Sequence, residues 1–229
     1  MINTIFFDLD NTLLDFDKAE RNAVSKTLLH LGITPDEKVL QRYSELNLAQ
    51  WKLLEQGKLT RSEVKVRRFR LLFEEIGVSC SAEKAAAVYE PLLGQGHYFV
   101  KGAPELLKKL YGQYRMYLVT NGTKKVQIGR LESAQIGQYF DGVFISEDIG
   151  YHKPDKAFFD SCFVQISDFS EASAVIVGDS LTSDIRGGIN AGIQTVWFNP
   201  RHMPVAPDIR PDYEIDALAQ LPLLLQALS

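Results

Sequence analysis

The stretch that decides the fold is Ile2-Asn3-Thr4-Ile5-Phe6-Phe7-Asp8-Leu9-Asp10-Asn11-Thr12. The apolar run Ile2–Phe7 stops abruptly at Asp8-Leu9-Asp10, and a short apolar run bounded by polar residues reads as a buried strand. Past it the pattern changes. From Asp17 to about Gly96, apolar residues recur at three- and four-residue spacing, the period of helices. Val24, Leu28 and Leu31 mark a helix closed by Gly32; Leu46, Leu53 and Leu54 a second closed by Gly57; Val66, Phe69, Phe73 and Ile76 a third closed by Gly77. Glycine past the last apolar position is the expected helix stop. A fourth helix covers Ala82–Leu93.

After Val100 strands and helices alternate. The expected elements are helix Pro104–Tyr111, strand Met116–Thr120, helix Lys124–Ala134, strand Gly142–Ser146, helix Lys156–Ile166 and strand Ala174–Gly178. Helix Ser183–Ala191, strand Thr195–Phe198 and helix Ala217–Leu228 complete the chain. Largely apolar strands separated by helices predict an α/β doubly wound parallel sheet. Residues 1–15 and 98–229 then form that core, and residues 16–97 an inserted helical cap.

Length and composition suit such a body. The 229 residues are 45% hydrophobic and 24% charged, too apolar for disorder and long enough for one sizeable core. No 18-residue apolar stretch and no basic, apolar leader is present, so membrane spanning and secretion are not expected. Cys80 and Cys162 are too few for a disulfide framework, and a cytoplasmic chain with reduced thiols is expected. The net charge of −4 argues against a polymeric nucleic acid as partner, because phosphates need a positive field.

Open parallel sheets bind ligands beyond the carboxyl ends of their strands. The polar residues there are Asp8, Asp10 and Thr12; Thr120-Asn121-Gly122; Lys153-Pro154; and Gly178-Asp179-Ser180 with Asp184. Asp8 and Asp10 converging unpaired would repel one another and destabilise the fold. Oxygen ligands without His or Cys suit Mg²⁺. A carboxylate attacking phosphorus divides one hard displacement into two, and cations and fixed donors stabilise the charge. Lys153 offers such a cation, Thr120 a hydroxyl, and Thr120, Asn121 and Gly122 a row of backbone N–H groups. These parts make a phosphoryl-transfer site.

The four motifs, in this order, resemble those of the haloacid dehalogenase superfamily over the whole chain. The resemblance implies a Rossmann-like core with Asp8 as nucleophile and Asp10 as general acid, then base. It implies phosphate binding by Thr120, Asn121, Gly122 and Lys153. Mg²⁺ would be held by Asp8, the Asp10 carbonyl and Asp179, with Asp184 behind them or joining them. Dehalogenases of the superfamily lack the second aspartate of the first motif, so Asp10 points to phosphate esters. Leu13–Asp17, Trp51 with Glu55, Gly57–Arg61, Ser146–Gly150, Gly178–Gly188 and Trp197–Pro200 are similar to the noncanonical pyrimidine nucleotidase branch. That branch implies a small phosphorylated metabolite, a nucleoside 5′-monophosphate, as substrate. Sugar-phosphate or phosphoglycolate phosphatases, phosphoglucomutase-type transferases and a non-catalytic metabolite sensor stay open as alternatives.

The leaving group must be read by the cap. Phe16 offers a ring to stack on a base, and Asn47 and Trp51, four apart, share one helix face. The competing reading is that Phe16 and Trp51 fill the cap interior while Asn47 is solvated. Lys65, Arg67, Arg68 and Arg70 read as a solvated surface.

Overall fold

The computed structural model describes residues 1–228. Six parallel strands form one sheet: β1 (Thr4–Phe7), β2 (Arg115–Thr120), β3 (Gly142–Ile145), β4 (Ala174–Gly178), β5 (Gln194–Phe198) and β6 (Tyr213–Ile215), ordered β3-β2-β1-β4-β5-β6. The register sets Phe7 beside Leu118 on one side and beside Val177 on the other. Asp8 therefore leaves the sheet between the ends of β2 and β4, at the point where strand order reverses and ligands are received.

Side chains alternate across the sheet. Ile5, Phe7, Leu118, Val175 and Val177 face one layer, packed by α5 (Ala103–Leu110) and α10 (Leu221–Ala227). Phe6, Val119, Phe144 and Ile176 face the other, against Phe158, Phe159 and Cys162 of α8 (Lys156–Phe163). Burial on both faces explains why the strands read as continuous apolar runs.

Four helices lie between β1 and β2 in sequence: α1 (Phe16–His30), α2 (Glu37–Glu55), α3 (Arg61–Glu75) and α4 (Ala82–Gly94). Their starts are written in local chemistry. Asp15, Asp36 and Ser81 accept from the first-turn backbone of α1, α2 and α4, and Thr60 with Glu63 forms a capping box on α3. The four share their own apolar cluster around Tyr43, Phe69 and Tyr89, which also takes Val126 of α6 (Lys124–Ala134). The chain enters and leaves the bundle side by side: Asp15 N–H donates to Tyr98 O at 2.7 Å and Val100 N–H to Leu13 O at 3.0 Å.

Several elements depart from the sequence reading. The expected helix Ala217–Leu228 is a 3₁₀ turn, Leu218–Gln220, leading into α10, and the helix expected to reach Ile166 stops at Phe163. β6 is new, an edge strand of three residues too short to show a period. The expected helix Ser183–Ala191 is a π-turn, Leu181–Ile185, running into α9 (Arg186–Ala191). Ser146, expected to end β3, instead begins the one-turn α7 (Ser146–Ile149). Among the described residues, no helix is long and apolar enough to cross a membrane.

Candidate active site

Asp8 is buried at the end of β1, and Lys153 meets it from the loop after β3. Lys153 Nζ donates to Asp8 Oδ1 at 2.7 Å, to Asp184 Oδ1 at 2.7 Å and to Val119 O at 2.8 Å. All three ammonium protons are thus used, which lets a lysine with 1% exposure stay charged. The two carboxylates push the Lys153 ammonium above its ordinary value, against the burial that would lower it.

The fourth strand delivers two further carboxylates. Asp8, Asp179 and Asp184 each place an oxygen so that all three lie within 4.8 Å of one another. The Thr12 hydroxyl ties two loops together, donating to Asp8 Oδ2 at 3.2 Å and accepting from Asp179 N–H at 3.1 Å. Trp197 Nε1 holds the Asp179 carbonyl at 2.8 Å. The π-turn returns Asp184 toward Gly178, and a Cβ at residue 178 would fall 2.3 Å from Asp184 Cγ. Only glycine fits there. Burial, with the charges of its acidic neighbours, raises Asp8 to about 7 and Asp179 well above its ordinary value.

Asp10 is half-buried. Its side chain is outside the three-carboxylate cluster and turns to α6, where Gln127 Nε2 donates to Oδ2 at 2.7 Å and Arg130 Nη1 pairs with Oδ1. The role expected of Asp10 toward a metal is its main-chain carbonyl, which this side-chain position leaves untouched, and Asp184, expected behind or within the set, has an oxygen in the cluster. Gln127 and Arg130 were missed because they read as two polar residues on an ordinary helix; their spacing of three, ahead of Leu131, was the available signal.

Gln127 Nε2 also reaches the Thr120 hydroxyl at 2.7 Å, which accepts from Gly122 N–H at 3.1 Å. Asn121 joins two loops with its side chain, donating to Lys153 O at 2.8 Å and accepting from Lys153 N–H at 2.9 Å. The four loops therefore share one hydrogen-bonded network.

A cavity of about 450 Å³ opens above these groups, a size that admits a small metabolite. Phe16, Asn47 and Trp51 all line it, with Glu20, Glu55 and Arg68. Asn47 is neither free nor solvated: Nδ2 donates to Glu20 Oε1 at 2.6 Å and Oδ1 accepts from Arg68 Nη1 at 2.9 Å. Arg68 corrects a second expectation. It is 3% exposed, with its guanidinium 4.6 Å from the Tyr89 ring centre and 5.7 Å from that of Phe69. Val64, Arg68 and Leu72, four apart and all buried, make one inward stripe of α3 that the neighbouring charges masked. Burial raises Glu20, and raises Glu55 with help from the nearby Asp184.

The bundle also touches the core directly. Arg61 Nη2 at the start of α3 donates to Ser146 Oγ at 2.6 Å, and Arg201 pairs with Asp17.

Known proteins share this plan. The chain is 38% identical to the HAD-hydrolase YfnB of Bacillus subtilis, over 95% of this chain and 93% of YfnB. The crystal structure of YfnB bound to magnesium, which reveals interdomain movement, superposes with a TM-score of 0.94 over 98% of both chains. Pyrimidine 5′-nucleotidase PynA of Streptococcus pneumoniae is 39% identical over 92% of this chain and 90% of its own. Pyrimidine 5′-nucleotidase YjjG of Escherichia coli is 31% identical over 96% of both. Residues 5–198, spanning Asp8 through the end of β5, match the haloacid dehalogenase-like hydrolase family, and the chain belongs to it.

Proposed function

We propose that this hydrolase is a Mg²⁺-dependent phosphatase of nucleoside 5′-monophosphates, favouring pyrimidines, that works through an aspartyl-phosphate on Asp8, with residues 16–97 serving as its cap. The observation that carries the reaction class is the fixed position of Asp8, held by Lys153 and Thr12 beside two further carboxylates at the switch point of the sheet. The substrate class rests on the two pyrimidine 5′-nucleotidases among the relatives and on the ring and amide groups lining the cavity.

The donor set fits the ion. Asp8, Asp179 and Asp184 present oxygen only, and three carboxylates with one lysine leave excess negative charge that a small divalent cation neutralises. Asp8, Asp179 and the Asp10 carbonyl would hold it, with Asp184 alongside. When bound, Mg²⁺ supplies positive charge against the phosphoryl oxygens.

In the first step an Asp8 oxygen attacks phosphorus, the bond from phosphorus to the ribose oxygen breaks, and protonated Asp10 gives its proton to that oxygen. In the second, ionised Asp10 takes a proton from a water whose oxygen attacks the same phosphorus. Inorganic phosphate leaves, and Asp8 regains its carboxylate. Lys153 and the Thr120–Gly122 loop face the charge on the phosphoryl oxygens. Phosphate release from uridine and cytidine 5′-monophosphate, with Mg²⁺ and with EDTA, tests the reading. Release from sugar phosphates alone would remove the nucleotide assignment, and release unaffected by EDTA would remove the metal.

A further inference from the structure

Arg130 is fully buried on α6, yet its partners come from three separate parts of the chain. Nη1 pairs with Asp10 Oδ1 and lies 3.4 Å from Gln127 Oε1, while Nε donates to Gly96 O at 3.0 Å. The guanidinium carbon stands 5.6 Å from the ring centre of Phe16. Phe16 is the first residue of the helical bundle, and Gly96 lies just beyond its last helix. One side chain therefore joins Asp10 to both places where the bundle meets the core.

Nη2 of the same guanidinium is buried without a hydrogen-bond partner. An unmade bond on a buried donor costs stability, so an apolar side chain would fill this space at less expense. The arginine is better explained by what it holds. Helix α6 also lies close against the bundle: a Cβ on Gly129 would fall 2.9 Å from Gly94 O of α4.

We propose that Arg130 is a positioning residue that fixes the Asp10 carboxyl group for proton transfer, anchored on the entry and exit of the helical bundle. Gln127 holds the other Asp10 oxygen, so the pair sets the direction of the carboxyl plane. The inference rests on the phosphatase reading, with Asp10 as acid and base, but not on which phosphate ester is the substrate.

The test compares leaving groups. An alkyl ester such as uridine 5′-monophosphate needs a proton as its alkoxide departs, whereas p-nitrophenolate leaves without one. Arg130→Met is expected to lower kcat for uridine 5′-monophosphate about 100-fold, the lower range of a general acid–base contribution, with KM within about threefold. With p-nitrophenyl phosphate it should give a burst of about one nitrophenolate per active site, then slow turnover, because only the second step needs Asp10 as base. Arg130→Lys should recover part of kcat, and Arg130→Met in an Asp10→Asn background should cost nothing further. Equal losses on both esters without a burst, or additive losses in the double variant, would overturn the proposal. If Arg130→Met does not fold, Arg130→Lys carries the same comparison, with a burst supporting and its absence opposing. A parent enzyme active on p-nitrophenyl phosphate and glycerol phosphate but not on nucleotides would remove the nucleotide reading alone, and glycerol phosphate would then serve as the alkyl ester.

Discussion

Lys153 and Asp184 meet at 2.7 Å with both side chains 1% exposed, on loops whose strands, β3 and β4, are not neighbours in the sheet. The pair ties the loop after β3 to the turn after β4, and the same ammonium reaches Asp8 at the end of β1. Removing one partner of a buried ion pair leaves the other without its compensation. Lys153→Met should therefore destabilise the metal-free protein by about 3–5 kcal/mol, read from urea unfolding. A loss below about 1 kcal/mol would show that the acidic cluster does not depend on this cation.

The same cluster makes stability depend on pH. Burial raises Asp8 to about 7 from its ordinary 3.8, so between those values the folded chain keeps a proton that the unfolded chain has released. Stability then falls as pH rises through that window. Lys153, raised above its ordinary 10.5, keeps its contribution throughout and does not reverse the trend. In EDTA the melting temperature is expected to drop from pH 5 to pH 8. Added Mg²⁺ should raise it, most at pH 8, where the ion no longer competes with a proton. A rise in melting temperature with pH in EDTA would contradict this assignment.

Asp8→Asn separates chemistry from folding. The amide keeps shape and removes one charge from a crowded site, so the metal-free variant should be at least as stable as the parent. It has no anionic oxygen to attack phosphorus, so turnover should fall below about one part in 10³, in the range seen when a nucleophile is lost. Phosphate release close to that of the parent would show that Asp8 is not the nucleophile.

The core was legible because its signals are local. Apolar runs stop at Asp8, Thr120 and Gly178, Gly32, Gly57 and Gly77 close the bundle helices, and alternation of strands with helices implies a parallel sheet. What escaped needs tertiary contact. Asp10 turns toward α6 because Gln127 and Arg130 wait there, more than a hundred residues away. Arg68 is one of four neighbouring basic residues, and its place on the Val64–Leu72 stripe separates it from half-buried Lys65, paired with Glu90, and from exposed Arg67 and Arg70. The π-turn after β4 carries Leu181 and Ile185 four apart, the spacing of an ordinary helix, so its wider turn, which returns Asp184 to the site, shows only in the structure.

Glu20, Asn47 and Arg68 supply the last prediction. Asn47 stands between a buried carboxyl group and a buried guanidinium, donating to one and accepting from the other, all within the wall of the cavity. Replacing it by Leu leaves both groups short of a partner, at a cost of about 1–3 kcal/mol in urea unfolding. Arg68→Met keeps the stem packed on Tyr89 but removes the guanidinium from the cavity wall. It should lower kcat/KM for uridine 5′-monophosphate by about 10- to 100-fold through KM, the worth of one hydrogen bond to a charged group. Hydrolysis of p-nitrophenyl phosphate, which carries no base, should change less than about threefold in that variant. Equal losses on both substrates would assign Arg68 to holding the bundle together. Unchanged constants on both would place the base elsewhere in the cavity, with Phe16 and Trp51 as the groups left to hold it.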